Sequence, residues 1–241
     1  LGRFETLLEG SDTRVISVVG QASQMVLEEK IEAYQAFFLA AQSQGVSPFS
    51  DFDLETLCAL LSKMTTWAEY HNRIRILRAL KDVPIHFFGP VDPEIEGITD
   101  QSHHVFHGPT KGGDVLKILD ETQILLNPVS VFPEGSHERI WFAMARGAAV
   151  YTDHSRFVAE SYTDGKNILF ADYTKLEGEA DRIRHFLENP EILQDMVDKS
   201  REIYRRQHSW IHRLDETFRQ IPDVVPFMPP KEEIVLPIEG V

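Results

Sequence analysis

FPEGSHERIWFAMARGAAVYTD, residues 132–153, combines a group of charged residues, an apolar segment and a second apolar run that ends in Thr-Asp. From 140 to 149 the only charge is on Arg146. A helix that is apolar nearly all round is typical of a buried position, and the second run has the length of a buried strand. The stretch therefore predicts a buried helix from about Ser136, a turn at the glycine, and a strand ending near Asp153.

The same strand-and-helix unit recurs along the second part of the chain. Short apolar runs start roughly 20 to 24 residues apart, with helical segments between them. Alternation at this spacing is the signature of a parallel sheet covered by helices on both faces, and continuously apolar strands fit burial on both sides. The sequence therefore predicts the α/β class. The five runs span 84–90, 104–109, 124–129, 148–153 and 168–172.

The first part of the chain differs, because residues 1–80 predict a mainly helical segment. Apolar residues follow helical spacing over 25–45, and two further helices are predicted between an N-cap at Asp53 and Leu80. The run 14–20 is compatible with a short strand.

Residues 81–221 make up the predicted α/β domain, which ends in helical segments. The last segment, 222–241, contains five prolines, and these do not fit a regular helix. We expect an extended tail that lies on the surface or reaches toward another domain.

Composition is ordinary for a soluble globular protein, and a small anionic ligand is compatible with it, because a local group of N–H donors can outweigh a distant net charge. Of the 241 residues, 42% are hydrophobic and 26% are charged, and no apolar run reaches the roughly 18 residues of a membrane span. The net charge of −14 disfavours nucleic-acid polymers and anionic membrane surfaces as partners. The single cysteine, Cys58, excludes an internal disulfide, so a cytoplasmic location is the default expectation.

Ligands of open α/β sheets bind beyond the carboxyl ends of the strands. At these ends we predict His107, Gly108, Asn127 and Asp153 as ligand contacts. Asn127 and Asp153 can equally cap turns, and the residues do not separate the two interpretations. A metal site built from His107 and the histidine pair at 103–104 is not expected, since neighbouring residues on a strand point to opposite faces.

The predicted apolar helix starts at this same rim, and its first residues form what we call the helix mouth. The helix mouth comprises Glu134, Gly135, Ser136, His137, Glu138 and Arg139. A helix N-terminus carries about half a positive charge and unpaired N–H groups, which suit a phosphate, and Ser136 is the expected N-cap. The histidine and arginine add donors, Gly135 allows close approach, and the two glutamates suit sugar hydroxyls. A ligand with both phosphate and sugar fits, and an ordinary capped helix with surface ion pairs fits equally well.

The block LNPVSVFPEGSHERIWFAMARGAAVYTD, followed by FVAESYTDGKNILF, resembles the C-terminal, donor-binding half of GT-B glycosyltransferases. It is most similar to the CgeB-like branch of the group 1 family, in which a His-Glu-Arg, an apolar helix, a strand ending in Thr-Asp and a segment with Gly and Asn follow in this order. The resemblance covers roughly residues 76–220. The matching motifs here are His137-Glu138-Arg139, Thr152-Asp153 and Gly165-Lys166-Asn167.

What the resemblance implies is a Rossmann-like domain that binds a nucleotide-sugar and transfers the sugar, without a metal, to a hydroxyl of a saccharide, lipid or protein. By position, Glu134 corresponds to the first glutamate of the family's Glu-x7-Glu pattern. The second glutamate, which usually meets the donor ribose, falls at Phe142. Either another group such as Glu138 holds the ribose, or donor binding is altered or lost and the domain is a non-catalytic interaction module.

The resemblance also implies a further domain. GT-B enzymes bind the acceptor in an N-terminal Rossmann domain, and residues 1–80 do not make one. The chain, which starts without Met, is therefore expected to be the C-terminal part of a longer enzyme, able to bind a donor but hardly to turn it over.

Overall fold

A computed structural model of the chain describes residues 12–29, 31–90, 103–128, 133–173 and 175–221. The tail predicted at 222–241 lies outside these residues. The helices are α1 (Thr13–Glu29), α2 (Ala33–Ser43), α3 (Pro48–Asp51), α4 (Leu54–Ala79), α5 (Gly112–Asp120), α6 (Glu138–Arg146), α7 (Arg156–Ala159), α8 (Glu179–Glu188), α9 (Pro190–Ile203) and α10 (Trp210–Gln220). The strands are β1 (His86–Phe87), β2 (Val105–Phe106), β3 (Ile124–Asn127), β4 (Ala149–Thr152) and β5 (Leu169–Phe170). Leu176–Gly178 forms a 3₁₀ turn and Tyr204–His208 a π-helical turn.

Helices α1 to α4 enclose a core of their own around Phe37, which is fully buried. The expected strand at 14–20 is wrong, because this stretch is part of α1. The helix predicted over 25–45 is instead divided between α1 and α2. The valines of α1 favour a strand locally, but packing against α2 and α4 overrides that preference. The buried side chains of α1 recur at helical spacing and are Val18, Val19, Ala22, Ser23 and Val26.

Helix α4, 26 residues long, joins this helical core to the α/β part. Asp53 caps it as predicted, since its carboxylate accepts hydrogen bonds from the Thr56 amide at 2.9 Å and from the Thr56 hydroxyl at 2.6 Å. The first half of α4 packs in the helical core through side chains such as Met64. Its last turns place Ile74 and Leu77 against the strands. One continuous helix thus spans both cores, where the sequence predicted two.

Within the described residues the strands hydrogen-bond as two parallel groups, β1–β2 and β3–β4–β5. The predicted α/β class is confirmed, although hydrogen bonding divides the strands between two sheets. Phe87 of β1 and Leu126 of β3 pack around the same residues, Ile74 and Leu77. Phe106 of β2 packs against the same two residues, so all three strands meet at the end of α4. Ligands of open parallel sheets bind beyond the carboxyl ends of such strands.

Alternate residues of β4 point into two different cores, so its sheet is covered on both faces. Val150 packs with α6 and α7, whereas Tyr151 packs with α8 and α9. This arrangement agrees with the continuously apolar strand in the sequence. None of the helices in the described ranges is both long and apolar enough to cross a membrane.

Helix α6 is buried along one face only. The sequence predicted a helix buried nearly all round, and that prediction is wrong. Ile140 and Met144 are each 1% exposed, whereas Phe142 is 37% exposed. The helix ends at Gly147, whose φ of +89° is a conformation that side chains rarely adopt. A Cβ at Gly147 would also lie 2.6 Å from the guanidinium of Arg201, which reaches the end of α6 from α9. The positive φ therefore favours glycine at this position, and any side chain would also have to displace the Arg201 guanidinium.

Candidate functional site

The helix mouth lies at the carboxyl end of β3, because α6 connects β3 to its parallel neighbour β4. Helix α4 borders the mouth from another side. Glu69 and Arg73 of α4 are close enough to act electrostatically on His137 and Arg139. The mouth therefore lies at the rim of the sheet, within electrostatic range of the long helix that comes from the N-terminal segment.

The first turn of α6 is capped by its own histidine. Nδ1 of His137 accepts a hydrogen bond from the Arg139 amide at 3.3 Å, so the N-cap predicted at Ser136 is wrong by one residue. The Ser136 hydroxyl instead accepts a hydrogen bond from the Trp141 indole at 3.0 Å. Burial, followed by the Arg139 charge, lowers the pKa of His137. The neutral ring suits the cap, and its 3.1 Å contact with the Glu138 carboxylate is therefore not an ion pair at neutral pH.

Arg139 carries the positive charge of the helix mouth. Its guanidinium lies against the His137 ring, with Nε 3.2 Å from Nδ1. Burial, followed by the nearby charge of Arg73, lowers the pKa of Arg139, whereas Glu138 and Glu69 act in the opposite direction. Arg73 is itself paired with the Glu69 carboxylate at 2.5 Å, so Arg139 is the cation that the mouth offers to an anionic ligand.

Glu134 is the first residue of the helix mouth and precedes the partly exposed Gly135. Its carboxylate is 3.7 Å from the guanidinium of Arg156, and both side chains are mostly exposed. The Arg156 amide donates a hydrogen bond to the carbonyl of Pro133 at 2.8 Å, which ties the loop before α6 to the start of α7. Burial, and then the charge of Glu134, raises the pKa of Glu32, which precedes α2. The helical segment thus also approaches this side of the mouth.

Asn127 and Asp153 lie beneath the rim. The Asn127 amide donates to the Thr152 hydroxyl at 3.0 Å, and that hydroxyl donates to the Asn127 carbonyl at 3.0 Å. Asp153, only 6% exposed, faces the Tyr173 hydroxyl, whose pKa is raised by burial and then by this carboxylate. Both residues hold the strand ends together, and their direct contact with a ligand stays a prediction.

His107 and Gly108 follow β2 and face the end of β1. Nε2 of His107 lies 2.8 Å from Nδ1 of His86, and Gly108 accepts a backbone hydrogen bond from Gly89 at 2.8 Å. His104 is buried and points instead toward the backbone of α4. Among the residues that the structure describes, no three side chains come together as a metal site needs.

Sequence patterns did not indicate the contribution of α1 and α4 to this region. Arg73 borders the helix mouth, and Arg75 donates to the carbonyl of Tyr173 at 2.9 Å. A cavity of about 470 Å³ lies between the end of α1, helix α4 and the end of β5, and Arg75, His154 and Asp172 are among its lining residues. These residues come from segments that are distant in sequence, so no local motif marks them.

Comparison with known proteins gives a family and a fold. Residues 72–219 match the model of a family described as glycosyl transferase-like. Among 15 similar chains of solved structures is the crystal structure of TarM, with a TM-score of 0.50 and 20% sequence identity. That match covers 64% of this chain and 32% of TarM, so the chain spans about a third of TarM's length. At this identity the likeness shows the fold alone. No curated protein matches the sequence.

Proposed function

This chain belongs to the glycosyl transferase-like family and has a GT-B group 1 glycosyltransferase-like domain, and we propose that it is the donor-binding part of such an enzyme. The donor is a nucleotide-sugar, and its sugar passes to an acceptor hydroxyl without a metal. The acceptor, a saccharide, lipid or protein, binds a further domain. A cytoplasmic location, expected from the single cysteine, belongs to the same proposal.

The observation that carries the proposal is the position of the Arg139 guanidinium in the first turn of α6 at the helix mouth. Arg139 lies in the first turn of α6, after the carboxyl end of β3, and it is within electrostatic range of Arg73, which is paired with Glu69 at 2.5 Å. Guanidinium groups bind phosphate oxygens through paired, charge-assisted hydrogen bonds. Glu134 and Glu138 are exposed at the same mouth and can accept hydrogen bonds from sugar hydroxyls. A sugar diphosphate matches both sets of groups.

In the proposed transfer, the acceptor oxygen bonds to the anomeric carbon as the bond from that carbon to the diphosphate oxygen breaks. The nucleoside diphosphate leaves with the bonding electrons, and the acceptor proton passes to a base on the acceptor-binding domain. Arg139 stabilises the negative charge that grows on the leaving diphosphate, so its interaction is stronger in the transition state than in the ground state.

Titration calorimetry of the 241-residue chain with UDP, GDP and their sugars tests this proposal. We expect saturable binding of one nucleotide in the micromolar range. Arg139→Ala is expected to weaken that binding by about tenfold or more, because a hydrogen bond to a charged group contributes roughly 1.5–3 kcal/mol. Arg206→Ala serves as the matched control, since Arg206 is 74% exposed and pairs with Glu202 outside the mouth. Absence of binding across the panel, or equal affinities for both variants, would contradict the proposal.

A second function, a non-catalytic interaction module, is favoured by Phe142. This side chain takes the place of the family's ribose-binding glutamate and is 37% exposed. It lies one helical turn after Glu138, so both share one face of α6. An exposed aromatic side chain at this position is better suited to pack against another protein than to hydrogen-bond to a ribose.

Phe142→Glu separates the two functions. If the ribose binds beside this face, the new carboxylate accepts hydrogen bonds from its hydroxyls, and nucleotide binding is expected to tighten by about tenfold. Because Phe142 lies on the exposed face of α6 and not in the protein core, the change should leave the fold intact. Phe142→Leu is the apolar control, and calorimetry measures both. No nucleotide binding in either the wild type or Phe142→Glu would favour the interaction module, whereas binding of equal affinity in both would show that the ribose does not lie beside this face.

A further inference from the structure

The indole of Trp141 reaches from inside α6 back to the helix mouth. Its Nε1 lies 3.0 Å from the hydroxyl oxygen of Ser136, five positions earlier in the chain. Long side chains on a helix point toward the N-terminus of that helix, which is why a residue inside α6 can contact one that precedes it. A phenylalanine at the same position would keep an aromatic ring there but would have no N–H to donate.

The hydrogen bond between these two side chains can run in one direction only. An indole nitrogen donates and does not accept, so the Ser136 oxygen is the acceptor. The helix is capped by His137, which leaves the serine hydroxyl without a capping role. Ser136 is partly exposed, and no second hydrogen bond involves its hydroxyl among the described residues. The proton of this hydroxyl is therefore left for water or for a ligand in the helix mouth.

Three aromatic rings from other elements hold the indole in place. His208, in the π-helical turn, stacks on Trp141 at a centroid distance of 4.6 Å, and Phe157 of α7 meets it edge-on at 6.2 Å. Tyr162 lies at 6.1 Å. Single turns of π-helix are frequent at functional sites, and here such a turn supports the indole. Because the indole is already fixed by these contacts, the hydroxyl that it holds loses less freedom when a ligand binds.

The same hydrogen bond makes the serine a better donor. Hydrogen bonds in a chain polarise one another, so a hydroxyl that accepts from an indole donates more strongly on its other side. A negatively charged oxygen gains most from such a donor. The Arg139 guanidinium belongs to the same mouth and favours the same kind of acceptor. An anionic oxygen bound there can thus combine a charged donor with a neutral one of fixed orientation.

We propose that Trp141 is a positioning residue of the helix mouth, which orients the Ser136 hydroxyl so that it donates its proton to a phosphate oxygen of the nucleotide-sugar. The inference rests on the proposed function. It gives the serine hydroxyl a role other than capping, and it adds a residue that acts on the ligand only through that hydroxyl.

The contact can be tested without a ligand. The chain has three tryptophans, so a proton–nitrogen correlation spectrum contains three indole N–H signals. The signal that is missing in Trp141→Phe belongs to Trp141. Ser136→Ala removes the acceptor and is expected to shift this signal, while the signals of Trp67 and Trp210 stay in place. A Trp141 signal that does not move in Ser136→Ala would show that the hydrogen bond is not formed, and the inference would be wrong.

A double-mutant cycle tests the role in binding, with the nucleoside diphosphate that binds the wild-type chain best as the probe. Calorimetry is expected to show binding about tenfold weaker in Ser136→Ala, which removes a hydrogen bond to a charged group. Trp141→Phe leaves the hydroxyl free to turn, and we expect a loss of about threefold. In the double variant, Trp141→Phe should add nothing to the loss caused by Ser136→Ala. Trp210→Phe, at a tryptophan 66% exposed on α10, is the control and should match the wild type.

The outcomes distinguish this inference from the proposed function. Wild-type chain that binds no nucleoside diphosphate overturns the proposed function and the inference with it, even if the indole signal shows the contact. Wild-type binding that is unchanged in Ser136→Ala or in Trp141→Phe overturns the inference alone. Losses that add in the double variant also overturn it, because Trp141 would then act on the fold and not through Ser136.

Discussion

Replacing Phe37 by alanine is expected to lower the free energy of unfolding by about 3–5 kcal/mol. Phe37 is fully buried in the core of helices α1 to α4, and its ring meets that of Phe52 edge-on at a centroid distance of 5.5 Å. Alanine would leave a cavity that the surrounding helices cannot fill without moving. Urea unfolding followed by circular dichroism measures the loss. Phe49→Ala, at a side chain 75% exposed, is expected to change stability by less than about 0.5 kcal/mol.

The same measurement tests how the two cores are coupled. Helix α4 contributes Met64 to the helical core and Leu77 to the α/β core, so unfolding of one core should disrupt the other. We expect a single cooperative transition that shifts as a whole in Phe37→Ala. Two separate transitions, with only one of them sensitive to the substitution, would show that α4 does not transmit stability between the cores.

The second large effect is a loss of stability in acid that depends on His208. This residue lies in the π-helical turn, is 9% exposed, and stacks on Trp141 at a centroid distance of 4.6 Å. Arg213 contacts its Nδ1 at 2.6 Å. Burial, followed by the charges of Arg213 and His212, lowers the pKa of His208 to about 4. The ring is therefore neutral in the folded protein, where an unfolded histidine has a pKa of about 6.5.

The direction in which His208 changes stability depends on whether the folded or the unfolded chain binds a proton first as the pH falls. Because the folded pKa is below the unfolded one, the unfolded chain takes up a proton first as the pH falls. The contribution of His208 to stability is complete above about pH 6.5 and is lost progressively down to about pH 4, for a total of about 3 kcal/mol. Above pH 7 the residue should contribute no pH dependence.

Urea unfolding at several pH values between 4 and 7 checks this prediction in the wild type and in His208→Gln. Carboxylates contribute to acid unfolding in both proteins, so the difference between the two curves isolates the histidine. We expect a shallower pH dependence in His208→Gln, and an unchanged one in the control His185→Gln, whose histidine is exposed on α8. Parallel curves for the wild type and His208→Gln would show that the ring is not held neutral.

The elements around the helix mouth could be predicted because their signals are local. Apolar runs marked β3 and β4, and the nearly uncharged stretch between them marked α6. The family resemblance read from the same block is confirmed by the match over 72–219. The capping rule located Asp53 correctly but chose Ser136 over His137, because a histidine ring caps a helix only when its surroundings keep it neutral, and those surroundings are not local.

The spacing of side chains along the chain was enough to locate the strands and most helices of the α/β part and to place polar residues at the strand ends, although the single helix expected after Pro190 is divided by the π-helical turn. Packing between elements, by contrast, set the exposure of Phe142, brought Arg73 of α4 near Arg139, and joined His86 to His107 across 21 positions. The difference has a physical cause. Helical hydrogen bonds, caps and apolar periodicity act between residues a few positions apart, whereas contacts across a site depend on the angles and distances at which whole elements pack.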